Sequence, residues 1–342
     1  MQPGRLMQAD VLIVGAGPAG LFAAFQCGMA GLSAVVVDSL AQAGGQCAAL
    51  YPEKPIYDIP ACASIGAGEL IARLEAQARP FEPRYLFGEQ VVTLEGSAGD
   101  FVAGTLSGGA IRCGAVLIAA GVGVFRPNKP PLDGIEALEG RGVHFFVEQR
   151  AEFEGKRLVI VGGGDSALDW AVSLSQACRS LHLVHRRPKF TAAPSTVEAL
   201  RRLVEAGRVQ LLIPGQVTGI ENRDGRLTHV CIGSGQDMQR LQADAVLFFL
   251  GLASTLGPIR DWGIDLEQGR IRVDPTTLAT SRAGVFAIGD VATYANKLRL
   301  ILCGFSEAAM AAHAIRRLLR PDEHYVHRHS TQQGIPAIAG QP

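Results

Sequence analysis

Short apolar runs separated by glycine turns give the chain a repeated pattern. Val11–Val14 is an apolar run that ends at Gly15, and Ala34–Val37 is a second one, with a helical segment at Ala19–Ala30 between them. This order of strand, helix and strand predicts a βαβ unit with parallel strands. We therefore expect an α/β protein with two dinucleotide-binding (Rossmann-like, three-layer) domains, because the same order recurs at Leu158–Val161, Ser166–Cys178 and Leu181–Val184.

Proline residues and further apolar runs indicate how the two domains are connected. Arg126–Leu132 contains three prolines and is typical of a linker. The apolar runs at Ala115–Ala119, Ala245–Leu250 and Val285–Ile288 predict further strands, and Glu307–Leu319 predicts a closing helix. We therefore expect the second domain to be inserted into the first, with residues 125–252 forming the insertion and residues 1–124 and 253–342, including a C-terminal tail, forming the first domain.

The first glycine motif follows a predicted strand and opens a predicted helix. Its three glycines allow a tight turn, close approach of a pyrophosphate and close helix–strand packing. The helix N-terminus carries partial positive charge, which favours phosphates. At the end of the next strand a carboxylate can accept hydrogen bonds from a ribose with a free 2′-hydroxyl. The alternative is a purely structural glycine turn; the complete pattern favours a dinucleotide site at Gly15, Gly17, Pro18, Gly20 and Asp38.

The second glycine motif has the same spacing but a different residue at the end of its second strand. Arg186 stands where Asp38 stands in the first motif, and Arg187 follows it. Guanidinium groups pair with a 2′-phosphate, which a carboxylate repels; the alternative is two solvated surface arginines. We therefore expect NADP(H) to bind at Gly162, Gly164, Asp165, Ser166, His185, Arg186 and Arg187.

Two nucleotide sites of different preference in one chain imply electron transfer between two cofactors. NADPH delivers a hydride, and a flavin can accept that hydride and release electrons singly or in pairs. We therefore expect one tightly bound FAD per subunit in the first domain and NADP(H) in the second. The chemistry needs no nucleophile or general base, so no catalytic side chain is predicted.

Charge and cysteine content exclude several other classes. The 32 lysines and arginines balance the 32 aspartates and glutamates, unlike the basic composition of a nucleic-acid-binding protein. The apolar runs are too short to span a bilayer, and no secretory signal is visible, so we expect a cytoplasmic protein without membrane contact. The seven cysteines contain no Cys-x-x-Cys and no zinc spacing, so we expect neither a disulphide framework nor a metal site.

The motifs resemble those of the low-molecular-weight pyridine-nucleotide disulphide oxidoreductases, the thioredoxin reductases in particular, over about residues 9–331. One departure changes the expected chemistry. Thioredoxin reductases carry a redox Cys-x-x-Cys just before the second glycine motif, and the matching stretch here, His144–Phe153, has no cysteine. No thiolate there can relay electrons to a disulphide. The sequences of Gly44–Asp58, Phe145–Glu148 and Gly304–Ala308 are instead similar to the thioredoxin-reductase-like type of ferredoxin–NADP(+) reductase.

This resemblance implies a set of FAD contacts beyond the glycine motif. Asp38 would hold the adenosine ribose, and Asp290 would bond the ribityl chain. The tail would reach the flavin of a partner subunit, so the resemblance also implies a homodimer. The remaining contacts that it implies are Gln46 in the flavin cleft, Tyr51 stacked on the isoalloxazine, Val91 near the adenine through its backbone, Phe125 near the flavin, and His329 and Thr331 in the tail.

The expected activity is that of a ferredoxin- or flavodoxin–NADP(+) reductase. Two alternatives stay open: an NAD(P)H-dependent reductase of another acceptor, such as a quinone, free flavin or metal chelate, and a non-catalytic nucleotide sensor on the same fold. Thr191 stands where relatives often carry a third arginine, which weakens the expected preference for NADPH over NADH; Lys189 could compensate.

Overall fold

A computed structural model describes residues 6–233, 238–324 and 330–335. In these residues the chain forms two compact units. The strands are β1 (Leu6–Val14), β2 (Ala34–Asp38), β3 (Pro55–Ile56), β4 (Ile65–Gly66), β5 (Arg84–Phe87), β6 (Val91–Ser97), β7 (Asp100–Thr105), β8 (Ala110–Ile118), β9 (Val124–Pro127), β10 (Val143–His144), β11 (Arg157–Val161), β12 (Ser180–Val184), β13 (Gln210–Leu212), β14 (Val217–Arg223), β15 (Arg226–Ile232), β16 (Gln239–Gln242), β17 (Ala245–Phe248), β18 (Leu252–Thr255), β19 (Leu266–Glu267), β20 (Arg270–Arg272), β21 (Val285–Ala287) and β22 (Ala292–Thr293).

Helices connect these strands and cover their faces. They are α1 (Pro18–Met29), α2 (Gln46–Ala49), α3 (Ala67–Ala78), α4 (Asp165–Leu174), α5 (Pro194–Glu205), α6 (Ile301–Leu319) and α7 (Ser330–Gln333). None of the helices in the described residues has the length and apolar character that crossing a bilayer requires.

The first unit comprises residues 1–125 and 254–342 of the chain. Its main sheet has the order β5-β2-β1-β8-β7-β6, with β21 also paired to β8. The strands β5, β2, β1, β8 and β21 run parallel, whereas β7 and β6 are antiparallel. Helix α1 packs against both α3 and α6. The glycine turn between β1 and α1 therefore lies at the carboxyl edge of the parallel strands, where ligands bind in open α/β sheets.

Apolar runs form the parallel strands because both faces of the sheet are covered. Val11, Leu12 and Ile13 of β1 are each fully buried, although successive side chains of a strand point to opposite faces. Such continuous burial is typical of parallel sheets covered on both sides. The predicted α/β class is confirmed in this unit.

The second unit comprises residues 126–253, which lie within the sequence of the first. Its parallel sheet has the order β10-β17-β11-β12-β13, and β14, β15 and β16 form a separate antiparallel sheet. The turn between β11 and α4 repeats the strand–glycine–helix order of the first unit. The prediction of two Rossmann-like regions is therefore confirmed. The chain passes between the units twice, within β9 and within β18.

The ends of two helices differ from the predictions. Helix α6 begins at Ile301, whereas the sequence indicated Glu307. Its first turns contain Gly304, whose low helix propensity obscured them. A Cβ at Gly304 would lie 3.1 Å from the Cβ of Ala19, so close packing on α1 keeps this position small. Helix α4 ends at Leu174 rather than Cys178, because the following residues form a turn that leads into β12.

Candidate functional site

The three glycines of the first motif have different surroundings. A Cβ at Gly15, where φ is +111°, would overlap the carbonyl oxygen of Ala119, and a Cβ at Gly20 would overlap that of Gly15. These two positions are glycine because backbone approaches backbone. Gly17 differs, since a Cβ there would meet no protein atom within 4 Å, and Gly17 lies on the wall of a cavity in the first unit. A side chain at Gly17 would therefore meet no protein atom, so packing of the protein does not require glycine at this position.

The N-terminus of α1 faces this cavity without a side-chain cap. Pro18 occupies the first turn, which contains no acidic residue, and both Pro18 and Ala19 line the cavity. The first N–H groups of a helix lack partners within the helix and carry partial positive charge. A pyrophosphate matches both properties.

Asp38 lies on the same wall and is fixed by two backbone groups. Its Oδ2 accepts a hydrogen bond from the N–H of Ala16 at 2.7 Å, and its Oδ1 accepts one from Leu40 at 2.8 Å. Burial raises the pKa of this carboxyl, and the two backbone hydrogen bonds oppose that rise. A carboxylate has about four lone-pair sites, so each oxygen keeps capacity for a ribose hydroxyl.

Several predicted flavin contacts line the same cavity. Gln46, Tyr51, Phe125 and Asp290 are all on its wall. The Nζ of Lys54 lies 5.9 Å from the centre of the Tyr51 ring. Burial raises the pKa of Tyr51, so its hydroxyl stays protonated at neutral pH. The first unit thus places an aromatic ring, an amide and a carboxylate around one cleft, a set that fits the polar and aromatic parts of FAD.

Val91 is the first residue of β6, and its side chain is 3% exposed. It borders the cavity together with Glu89 and Gln90. Burial opposes ionisation of the Glu89 carboxyl, but hydrogen bonds from the Ser107 hydroxyl and from the N–H groups of Gln90 and Ser107 outweigh this and lower its pKa. Neither Glu89 nor Gln90 belongs to a motif that was predicted from the sequence.

The two predicted residues of the tail are Thr331 and His329. Thr331 is exposed in α7 and does not belong to the described residues that line the cavity. His329 lies outside the described residues. Both remain predictions, as does the contact of the tail with a partner subunit. Ile335, just beyond α7, packs against the core of the first unit.

In the second unit, the loop after β12 folds over the glycine turn. A Cβ at Gly163 would overlap the ring of His185, which stacks on Phe190 with 5.6 Å between ring centres. The carbonyl oxygen of Gly163 accepts a hydrogen bond from the N–H of Thr191 at 2.8 Å. The glycine between the two predicted ones is therefore required by His185, which the sequence analysis did not recognise.

The remaining residues of this motif surround the start of α4. Gly162 is buried and Gly164 is half-buried, while Asp165 and Ser166 are exposed. The Oδ1 of Asp165 accepts a hydrogen bond from the N–H of Ala193 at 2.8 Å, and α4 has no side-chain cap. The first turn of α4 thus contains the carboxylate of Asp165, whereas that of α1 contains no acidic residue.

Arg186 and Arg187 are both exposed at the end of β12. Arg186 also borders a groove in the second unit, which the sequence did not predict. The other residues that line this groove include Leu212, Ile213, Gln216, Gly233 and Gln239.

Asp38→Ala should weaken FAD binding and destabilise the turn. It removes an acceptor from the cavity and leaves the N–H groups of Ala16 and Leu40 without their partner. We expect the FAD dissociation constant to rise roughly tenfold and the free energy of unfolding to fall by about 2 kcal/mol. Flavin fluorescence titration and urea unfolding measure the two effects. An unchanged dissociation constant would exclude Asp38 from the nucleotide site.

Comparison with known proteins agrees with this geometry. The family model for pyridine nucleotide-disulphide oxidoreductases matches residues 9–315. The chain belongs to this family. Over 334 residues it is 51% identical to a ferredoxin–NADP reductase of Gluconobacter oxydans, with 97% of this chain and 98% of the relative covered. It is 50% identical to a ferredoxin–NADP reductase of Granulibacter bethesdensis, with 97% and 95% covered.

Two solved structures with the same fold are thioredoxin reductases. The enzyme of T. acidophilum has a TM-score of 0.75 at 24% identity, covering 90% of this chain and 98% of the other. The enzyme of Lactococcus lactis has a TM-score of 0.75 at 23% identity, covering 92% and 99%. At this identity the likeness establishes the two-domain fold.

Within this oxidoreductase family, the thiols of the present chain are placed differently from a redox dithiol. Among the described residues on the cavity wall, Cys47 is the one cysteine. Burial raises its pKa to about 11, so the thiol is protonated at neutral pH and is a poor nucleophile. The stretch His144–Phe153 runs from the last residue of β10 to the end of a short 3₁₀ helix, Arg150–Phe153, and holds no cysteine.

Proposed function

We propose that this chain is a ferredoxin- or flavodoxin–NADP(+) reductase that uses FAD to couple two-electron transfer from NADPH to one-electron transfer to a protein carrier. The ferredoxin–NADP reductases to which it is 51% and 50% identical support this activity. The observation that carries it is the pairing of an Asp38-type nucleotide cavity with a second glycine turn followed by two exposed arginines, with no Cys-x-x-Cys in the sequence.

The first unit would hold FAD with groups fixed before the ligand arrives. The N-terminus of α1 at Gly17 would bind the pyrophosphate, and Asp38 would bind the adenosine ribose. Asp290 would bond the ribityl chain, and Tyr51 would cover a face of the flavin ring. Pre-oriented groups avoid the entropic cost of ordering them on binding.

The second unit would hold NADPH in a corresponding manner. The N-terminus of α4 would bind the pyrophosphate, and Arg186 and Arg187 would pair with the 2′-phosphate. The groove beside Arg186 would take the adenosine end. Thr191 is already hydrogen-bonded to Gly163, so the 2′-phosphate would be held by two guanidinium groups.

The protein supplies binding and orientation to this reaction. When bound, FAD accepts a hydride and releases electrons one at a time, which is chemistry that no side chain provides. Tyr51, protonated at neutral pH, and Gln46 would shape access to the flavin ring without exchanging protons. The proposed reaction needs no residue that acts as nucleophile or general base.

The proposal is tested by anaerobic stopped-flow reduction of the yellow holoenzyme. We expect NADPH to bleach the flavin absorbance faster than NADH. We also expect electron flow to cytochrome c to depend on added ferredoxin or flavodoxin, with thioredoxin inactive. Turnover with a quinone, free flavin or a ferric chelate that exceeds turnover with both carriers would replace the proposed acceptor. Flavin that NADPH does not reduce would indicate a nucleotide sensor.

We further propose that the protein works as a homodimer in the cytoplasm. The tail motif, which resembles one that reaches a partner subunit, supports the dimer. Light scattering should give twice the mass of the 36.1 kDa chain. A monomer that retains full ferredoxin reduction would contradict a role for the tail in a partner's site.

A further inference from the structure

A buried ion pair lies directly behind the turn that carries Asp290. The side chains of Lys297 and Glu307 are each 4% exposed and form a salt bridge. Glu307 projects from α6 and is one of the few charged residues buried among those that the structure describes. Such pairs are costly to desolvate, so their presence calls for a role beyond packing.

Glu307 accepts three hydrogen bonds, all from residues of the segment between β21 and α6. Its Oε2 accepts one from the N–H of Gly289 at 2.7 Å. Its Oε1 accepts one from the hydroxyl of Tyr294, also at 2.7 Å, and another from Lys297. The carboxylate therefore links α6 to the turn immediately before Asp290.

The other side of the turn is fixed as well. The Nε of Arg270 donates a hydrogen bond to the carbonyl oxygen of Asp290 at 3.1 Å. The next strand, β22, pairs with β20, which begins at Arg270. Glu307 thus fixes the backbone before Asp290 through the N–H of Gly289. Arg270 fixes the backbone after it through the carbonyl group of Asp290.

The conformation of the turn needs this support. Gly289 has a φ of +71°, and a Cβ there would lie 3.3 Å from the Cβ of Ala19 on α1. Gly289 and Asp290 both border the cavity, so a rotation of this peptide would redirect the Asp290 carboxylate. A glycine in this conformation has little intrinsic preference to stay there.

We infer that Glu307, neutralised by Lys297, is a positioning residue that orients Asp290 toward the ribityl chain of FAD. This inference rests on the proposed function for the identity of the ligand. Glu307 itself does not line the cavity, and it acts through the Gly289 N–H. Its effect on FAD should therefore depend on the presence of the Asp290 side chain.

The test is a double-mutant cycle on the full-length holoenzyme, read as the FAD dissociation constant from flavin fluorescence after dilution. A single substitution in a buried ion pair leaves the other charge buried without its partner, so both residues are changed together in each variant. Glu307→Ala with Lys297→Met removes the acceptor for Gly289. Glu307→Gln with Lys297→Met keeps an acceptor at the same position. Asp100→Asn, in an exposed ion pair of the same unit, serves as the control.

We expect the alanine pair variant and Asp290→Ala each to raise the dissociation constant roughly tenfold, the value for one lost hydrogen bond to a charged group. The glutamine pair variant should stay within about threefold of the wild type, and so should the control. In the Asp290→Ala background, the alanine pair variant should add less than about threefold, because interacting sites are not additive.

A full tenfold effect of the alanine pair variant in the Asp290→Ala background would overturn the inference, since Glu307 would then act independently of Asp290. Equal losses in the alanine and glutamine variants would also overturn it. Thermal unfolding of each holoenzyme checks the fold, and the glutamine variant keeps the test decisive if the alanine variant fails to fold. A wild-type chain that never binds FAD would refute the proposed function instead.

Discussion

Gly17→Ala should abolish tight FAD binding while leaving the fold intact. The new methyl meets no protein atom within 4 Å, and Gly17 has a φ of −70°, which alanine adopts without strain. It would instead occupy cavity space beside the N-terminus of α1, where the pyrophosphate has to approach the backbone. We expect the FAD dissociation constant to rise by roughly 100-fold, equivalent to about 2.7 kcal/mol of lost binding.

Gly20→Ala is the matched substitution with the opposite consequence. Its methyl would overlap the carbonyl oxygen of Gly15, so α1 has to move away from β1. Overpacking of this kind costs about 1–3 kcal/mol of stability. Urea unfolding of both variants without FAD separates the two roles. Equal destabilisation by the two substitutions would contradict the assignment of Gly17 to the ligand and Gly20 to packing.

Replacing both Arg186 and Arg187 with alanine should remove the preference for NADPH. Both side chains are exposed, so their loss leaves the core of the second unit unchanged. Each charge-assisted hydrogen bond to a 2′-phosphate contributes about 1.5–3 kcal/mol, so the KM for NADPH should rise at least ~100-fold. The KM for NADH, which lacks that phosphate, should change by no more than about twofold.

Arg202→Ala is the control for this pair. Arg202 is an exposed arginine on α5 of the same unit, and its neighbour Glu198 forms an exposed ion pair with it. We expect its kinetics with both nucleotides to match those of the wild type. A parallel loss of NADPH and NADH activity in the double variant would mean that the two arginines support the fold or the pyrophosphate, not the 2′-phosphate.

The sequence predicted the parts of the site that follow a fixed spacing along the chain. Gly15, Gly17 and Gly20 lie within six consecutive residues, and Asp38 ends the next strand. The spacing of these residues along the chain therefore determines that they lie close together. The distribution of roles among the three glycines was not visible, because it depends on Ala119 and on the cavity. Gly163 was overlooked for the same reason, since its constraint comes from His185, in the loop after β12.

The supporting network behind Asp290 could not be predicted at all. Glu307 belongs to a segment that the sequence indicated as a helix start, where a glutamate is ordinarily solvated. Only the packing of α6 on α1 buries it and brings it to Gly289 and Lys297. Arg270 reaches Asp290 because two short strands, β20 and β22, pair with each other. Neither strand is long enough to show a periodic pattern of hydrophobic residues. Burial of a charged residue by segments far away in the sequence cannot be predicted from the local pattern of residues.

The most direct test of the central claim counts electrons. In the proposed reaction, electrons pass from NADPH through one FAD to the acceptor, and no redox dithiol of the chain takes part. Anaerobic titration of the holoenzyme with dithionite, followed at the flavin absorbance maximum, should reach full reduction at two electrons per FAD, as expected for a lone flavin. An end point of four electrons per FAD would reveal a redox disulphide and contradict the account.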